Sequence, residues 1–311
     1  MYLKKIFILI VFVGFFSCSK KDGTAEGRPD IKNEVNTEQS SQSSKIMEDK
    51  PIKSSRFIND FTQKVSSLLS ENKYVSFDEL QGQKLKNIEE NSNVIVSSNT
   101  PEKMNGNQLY FYLKERTLVV GKAFDGPYDA TALSMASAYV IHEDGIILTN
   151  YHVIEVVEKM NSKAIFVSDK DGNVYTVIEI LSSSQTNDLA VLKIDTAGKK
   201  LKAIPFAETE YVGETIFMMG HPFDNLFYME EGIIANKYIS ERDDAVKISI
   251  TAEFGQGASG GPVVNENGQL VGMVSGTMMH YTNRSREHGD LQMIVKEVIP
   301  VSVINEYIKR K

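Results

Sequence analysis

The chain has 311 residues and a formal net charge of −7, from 34 Lys and Arg against 41 Asp and Glu. That length allows one two-lobed domain or two small ones with a sizeable core, while the acidic balance, without a long basic run after the first few residues, argues against a dedicated nucleic-acid binder, because polyphosphate attracts basic surface. Cys18 is the only cysteine, so no intramolecular disulfide can form and the fold must hold by its core.

At the start of the chain, Lys4 and Lys5 precede an apolar stretch from Ile6 to Phe16. It is long enough for the core of a signal peptide and too short to span a bilayer as a stable helix. Phe16, Ser17 and Cys18 follow at once, an arrangement that resembles a bacterial lipoprotein signal, although Phe15 stands where Leu is usual. The resemblance implies removal of residues 1–17 and a membrane anchor through acylation of Cys18; ordinary secretory cleavage with an incidental Cys18 is the alternative. Residues 18–52 are rich in Ser, Gln, Glu, Lys and Asn and offer little to bury, which predicts a flexible tether.

Residues 53–105 read as a small helical accessory region. From Arg56 to Leu69 the apolar positions Phe57, Ile58, Phe61, Val65, Leu68 and Leu69 make a helical stripe. A second helix is predicted to start at Ser76 with Glu79 as capping-box partner and to run through Leu80, Leu85 and Ile88. From about residue 109 short apolar runs alternate with turn signals. Three hairpins are predicted, at Asp144-Gly145, Asp171-Gly172 and Asn267-Gly268, and strands at this spacing mean an all-β barrel or sandwich. After Pro300, Val301, Ile304 and Ile308 share one helical face, so the chain is expected to close with a short helix.

Three strings carry the chemistry: TNYHVI (149–154), NDLAVLKID (187–195) and GQGASGGPVV (255–264). A serine hydroxyl is a poor nucleophile at neutral pH and needs a base within hydrogen-bond reach. His152, after the apolar run Ile146 to Leu148, is the candidate base. Asp188, at the mouth of a buried strand, could accept from the other imidazole nitrogen and fix the tautomer. Ser259 lies among Gly257, Gly260 and Gly261, whose freedom lets the backbone aim amides into open space; the N–H groups of Gly257 and Ser259 are the predicted oxyanion donors. Gly255, Gly257 and Gly260 also read as GxGxxG, but that fingerprint requires a helix to follow, and Pro262 leads into a strand and a hairpin. His142, His221, His280 and His288 are assigned structural places. The spacing of His280, His288 and Asp290 matches no ligand motif, and neither a metal nor a cofactor is predicted.

These strings resemble the chymotrypsin-fold serine proteases, and within them the HtrA (Deg) branch of bacterial envelope proteases. TNYHVI is similar to that branch's TNxHV segment and DLAVLKID to its DLAVLK segment. MMGHPFD (218–224), GIIAN (232–236) and QLVGMVSG (269–276) continue the match in order. The resemblance implies an all-β protease domain over 106–311 with two six-stranded β-barrels of the trypsin type, about 109–200 and 201–300. His152 and Asp188 would come from the first barrel and Ser259 from the second. It implies a serine endopeptidase of the cell envelope acting on exported or misfolded proteins, with protein or peptide substrates and no nucleic-acid partner.

Three departures stand out. Ala258 replaces the usual Asn or Asp before the nucleophile, which suggests an oxyanion hole that forms only with substrate bound. MIVKEVIP (293–300) replaces the branch's GFAIP strand, and the sequence ends at Lys311 where the best-known members continue into PDZ domains, so peptide-tail sensing is not expected. Glu253, six positions before Ser259, would line the specificity pocket and favour Lys or Arg side chains. Val274, Ser275 and Gly276 are expected to pair with substrate backbone, and the polar stretch 281–290 reads as a solvated hairpin. Two other readings compete: a protease-fold binding or chaperone-like scaffold with little turnover, and an esterase using the same triad, which lacks the expected GxSxG elbow.

Overall fold

The structure, a computed structural model, describes residues 46–126, 131–157, 161–282 and 289–310. The signal segment, Cys18, most of the tether, and His288 with its neighbours 283–287 lie outside the described residues.

The accessory region starts with helix α1 (Ser54–Ser70), which buries Phe61 and Val65. Helix α2 (Phe77–Lys86) starts where Ser76 Oγ accepts the Glu79 N–H at 3.2 Å. It ends before the expected Ile88, and Leu85 stays 69% exposed. The stripe breaks there because Asn87 turns away to donate to the Ile180 carbonyl at 2.6 Å. A two-residue strand β1 (Ile95–Val96) follows. The next element corrects the expected onset of the barrel near residue 109: Gly106–Lys114 forms a third helix, α3. A reciprocal capping box made by Asn105 and Gln108 starts it, outweighing the β propensity of the aromatic run Leu109 to Leu113.

Six antiparallel strands then close the first barrel: β2 (Thr117–Asp125), β3 (Thr131–His142), β4 (Ile146–Thr149), β5 (Ser162–Ser168), β6 (Val174–Ser184) and β7 (Leu189–Ile194), in spatial order β2-β3-β4-β7-β6-β5. The second barrel uses β8 (Thr215–Gly220), β9 (Tyr228–Ile239), β10 (Val246–Ile250), β11 (Pro262–Asn265), β12 (Leu270–Tyr281) and β13 (Leu291–Pro300), ordered β10-β13-β12-β11-β8-β9. The expected turns at Gly145, Gly172 and Gly268 connect β3 to β4, β5 to β6 and β11 to β12. The closing helix α4 (Val301–Ile304) is a single turn and leaves Ile308 outside it. Lys309–Arg310 instead forms strand β14, paired parallel with β1, so the chain end is tied by backbone hydrogen bonds rather than by a helical stripe.

Barrel one is filled by residues such as Val120, Ala138, Ile147, Ile165 and Leu192, and barrel two by Ile216, Ile234, Ile248, Val263 and Val298. A third core lies outside both and joins α1, α3 and both barrels through Phe61, Leu109, Leu113, Tyr139, Met219 and Ile304. This explains why β2 is buried on both faces: Leu118 and Val120 point into the barrel, while Val119 and Ala123 face the outer core. Gly121 is the notch where α1 docks. A Cβ there would sit 2.9 Å from the Phe61 ring, so any side chain would lift the helix.

Candidate active site

The strand register brings the base and the carboxylate together. Thr149 at the end of β4 pairs with Ala190 near the start of β7, so His152, three residues past β4, and Asp188, just before β7, meet at one rim. His152 Nδ1 lies 2.9 Å from Asp188 Oδ1 and 3.1 Å from Oδ2, and the His152 backbone N–H donates to Oδ1 at 3.1 Å. Carboxylate oxygens at Nδ1 hold the proton there and leave Nε2 free to act as a base. Asp188 adopts a left-handed backbone with φ +54, a conformation that short polar residues tolerate. The buried Asn150 secures it by donating to the Asp188 carbonyl at 3.0 Å.

Ser259 comes from barrel two, in the loop before β11. Ser275 connects it to the His-Asp pair: Ser275 Oγ donates to Asp188 Oδ2 at 2.7 Å, while the Ser275 carbonyl accepts from Ser259 Oγ at 3.4 Å. A rotation of the Ser259 side chain from that carbonyl is the motion that would aim its hydroxyl at an imidazole, and such rotamer changes take picoseconds to nanoseconds.

Ser137 of β3, which the sequence reading overlooked, clamps the serine loop to barrel one. Its N–H donates to the Ser259 carbonyl at 2.9 Å and its Oγ to the Gly257 carbonyl at 2.8 Å, while it accepts the His221 N–H at 3.2 Å. The approach is so close that a Cβ on Gly260, which has φ +81, would fall 2.1 Å from the Ser137 carbonyl. On the other side the Phe223 N–H donates to the Gln256 carbonyl at 2.7 Å. With the carbonyls before and after it both held, Gly257 has little freedom left. Among the described residues neither the Gly257 nor the Ser259 N–H has an acceptor, so both amides are available to an anion. Ala258 is buried against Gly220, where a Cβ on the glycine would meet it at 3.0 Å. Backbone bonds do the bracing here, and no larger side chain at 258 is needed.

Two sequence expectations are corrected. Val274 is not free to pair with a substrate, because its N–H donates to Gly261 at 2.9 Å and its carbonyl accepts from Gly260 at 3.0 Å. Ser275 and Gly276 follow it on β12, and a Cβ on Gly276 would make only an ordinary contact, 3.8 Å from Glu297 Oε2. Nor is Glu253 a bare anion on a pocket floor. Its side chain is 69% exposed and pairs at 3.0 Å with Lys296 Nζ, whose own side chain is only 8% exposed. Lys296 also donates to the Phe254 carbonyl and lies 5.1 Å from the Phe254 ring centroid. The cation is the buried partner, which removes the basis for a preference for Lys or Arg.

His221, in the turn behind Gly257, accepts the Phe227 N–H on Nδ1 at 3.0 Å, and burial lowers its pKa from 6.5 to about 4. Folding therefore excludes a proton that the unfolded chain binds below pH 6.5. This contribution to stability is complete above pH 6.5 and is lost as pH falls toward 4. Between pH 7.5 and 5 the loss is about 2 kcal/mol. In urea unfolding, the stability difference between those two pH values is expected to shrink by about that amount in His221→Phe. An unchanged difference would show that His221 does not carry it.

A double barrel with a His-Asp pair on one barrel and a glycine-framed serine loop from the other defines the trypsin-like serine peptidase class. Residues 136–273 match the family model described as trypsin-like peptidase domain. Relatives include a probable periplasmic serine endoprotease, DegP-like, of Rickettsia prowazekii, 33% identical over 46% of this chain and 28% of that protein. The serine endoprotease DegS of Haemophilus influenzae is 28% identical over 57% of this chain and 50% of its own length. A solved serine endoprotease from Yersinia pestis aligns at TM-score 0.49 and 25% identity, covering 66% of this chain and 65% of that one. Over that stretch the chain is similar to trypsin-like peptidases, and among them to the DegP-like and DegS serine endoproteases. It spans half or less of the length of these two curated relatives.

Proposed function

We propose that the chain is a serine endopeptidase of the cell envelope that cleaves exported or misfolded proteins through an acyl-enzyme on Ser259. His152 Nε2 takes the Ser259 proton as Oγ attacks the scissile carbonyl, and the Gly257 and Ser259 N–H groups receive the negative charge on the carbonyl oxygen. The imidazolium, stabilised by Asp188, then gives its proton to the departing amine. Water activated by the same imidazole hydrolyses the ester. The observation that carries this reading is the hydrogen-bonded series His152, Asp188, Ser275, Ser259, which spans both barrels.

The lipoprotein-like leader and the printed names of the periplasmic relatives support a site outside the cytoplasm, held to a membrane through Cys18. A fluorophosphonate probe tests the chemistry. One equivalent should attach to Ser259 in the folded chain and block casein hydrolysis. Folded protein left unlabelled would favour the binding-scaffold reading.

Specificity follows from Lys296. Lys296 already neutralises Glu253 beside Phe254, so that carboxylate is not free to hold a second cation before the scissile bond. Peptides with Val at that position should be cleaved with kcat/KM at least about tenfold above those with Arg, and Lys296→Met should narrow the gap. A preference for Arg in the native chain would restore Glu253 as the determinant.

A further inference from the structure

An open cavity of about 420 Å³ lies against the serine loop, walled by Ile58 of α1, Phe124 of β2, Leu133 and Met135 of β3, Phe223 and the backbone of Gly257. That apolar wall is interrupted by Ser134, His221, Asp224 and Gln256, and the cavity's size lies in the range of small-ligand sites. Its position relative to Ser259 can be read from contacts. Ser259 faces β12 through the Ser275 carbonyl, whereas the Cα of Gly257 faces the opposite way: a Cβ there would lie 2.5 Å from the His221 carbonyl and 3.6 Å from the Phe223 nitrogen. A peptide whose carbonyl oxygen sits at the Gly257 and Ser259 amides, with its acyl side along Ser275 and Gly276, therefore sends its leaving amine toward this cavity. At about 3.3 Å per extended residue, the first or second residue beyond the scissile bond reaches it.

One wall comes from the accessory helix rather than from either barrel. Phe61 fixes α1 in the Gly121 notch, and Phe57, one turn earlier, meets Phe227 edge-on with ring centroids 6.3 Å apart. Phe227 in turn packs edge-on against His221 at 4.9 Å, in the turn that holds the Gln256 carbonyl. Ile58 is thereby held half-buried at the cavity.

We propose that this cavity is a leaving-side subsite for an apolar substrate residue, and that α1 is part of the substrate-binding surface. The inference rests on the peptidase reading above. It gives the accessory region a role in selecting cleavage sites: a large apolar side chain one or two residues after the bond fills the cavity, while Asp224 at its lining disfavours an acidic one.

The test uses internally quenched peptides that are identical up to the scissile bond and carry Leu and Phe, or Gly and Gly, in the two positions after it. Rates are normalised to active sites titrated with the fluorophosphonate, so a misfolded fraction is not counted. The native chain is expected to cleave the Leu-Phe peptide at least about tenfold faster, and both Ile58→Ser, which opens the wall, and Ile58→Trp, which fills the cavity, should reduce that ratio below about threefold. A native chain that labels but shows no such ratio, or a ratio that both variants retain, overturns the subsite while leaving the peptidase reading intact. No labelling and no turnover of either peptide would overturn the peptidase reading, and the subsite with it.

Discussion

Asp188→Asn is expected to lower kcat/KM for peptide hydrolysis by about 10⁴-fold while leaving the protein folded. The carboxylate does three things at once: it accepts the His152 backbone N–H, the His152 Nδ1 proton and the Ser275 hydroxyl. An amide keeps one acceptor oxygen. If that oxygen stays with the His152 backbone N–H, the amide nitrogen occupies the position of Oδ2, 3.1 Å from Nδ1 and 2.7 Å from Ser275 Oγ. A donor facing Nδ1 favours the tautomer with its proton on Nε2, which removes the base that Ser259 needs. The imidazolium also loses its counter-ion. Asn tolerates the left-handed backbone at this position, so melting temperature should change little. Peptide kinetics, together with the rate of fluorophosphonate labelling, measure the effect. Activity within tenfold of the native chain would remove Asp188 from the catalytic set.

Ser137→Ala should have the next largest effect, a fall in kcat of about 10²- to 10³-fold with little change in KM. Ser137 touches no substrate in the proposed mechanism and acts by positioning. Loss of its hydroxyl releases the Gly257 carbonyl and leaves the buried His221 N–H without its acceptor. Gly257 then regains rotation about its two soft dihedrals, and the amide meant for the oxyanion no longer has a fixed direction. The orphaned N–H costs about 1–3 kcal/mol of stability. Ser137→Thr, which retains the hydroxyl, should recover most of kcat. The split between kcat and KM distinguishes this role from general destabilisation, since a smaller folded fraction would leave the turnover per titrated site unchanged. A Ser137→Ala chain with native kcat per site would show that Phe223 alone holds the loop.

The elements differ in how legible they were. The three Asp-Gly and Asn-Gly turns could be read because a hairpin reversal needs those residues whatever lies around it. The helix at Gly106–Lys114 had its signal in Asn105 and Gln108, hidden by an aromatic run that suits a strand equally well. Ser137 had no signal at all, and Ser275 was singled out for its backbone and not for its hydroxyl, because a serine within a strand looks the same whether it clamps two barrels or faces water. The charge on Glu253 was visible, but its buried partner Lys296 lies on another strand.

By itself the sequence determined the groups available for chemistry, the strand and turn periodicity, and the all-β class, since each follows from neighbours a few residues apart. Only the tertiary structure decided which carbonyls are held, which amides stay free, that Lys296 rather than Glu253 is the buried charge, and that an accessory helix walls a cavity beside the serine loop. Those outcomes depend on contacts between residues far apart in the chain, whose energies come from burial and hydrogen-bond geometry that leaves no local pattern.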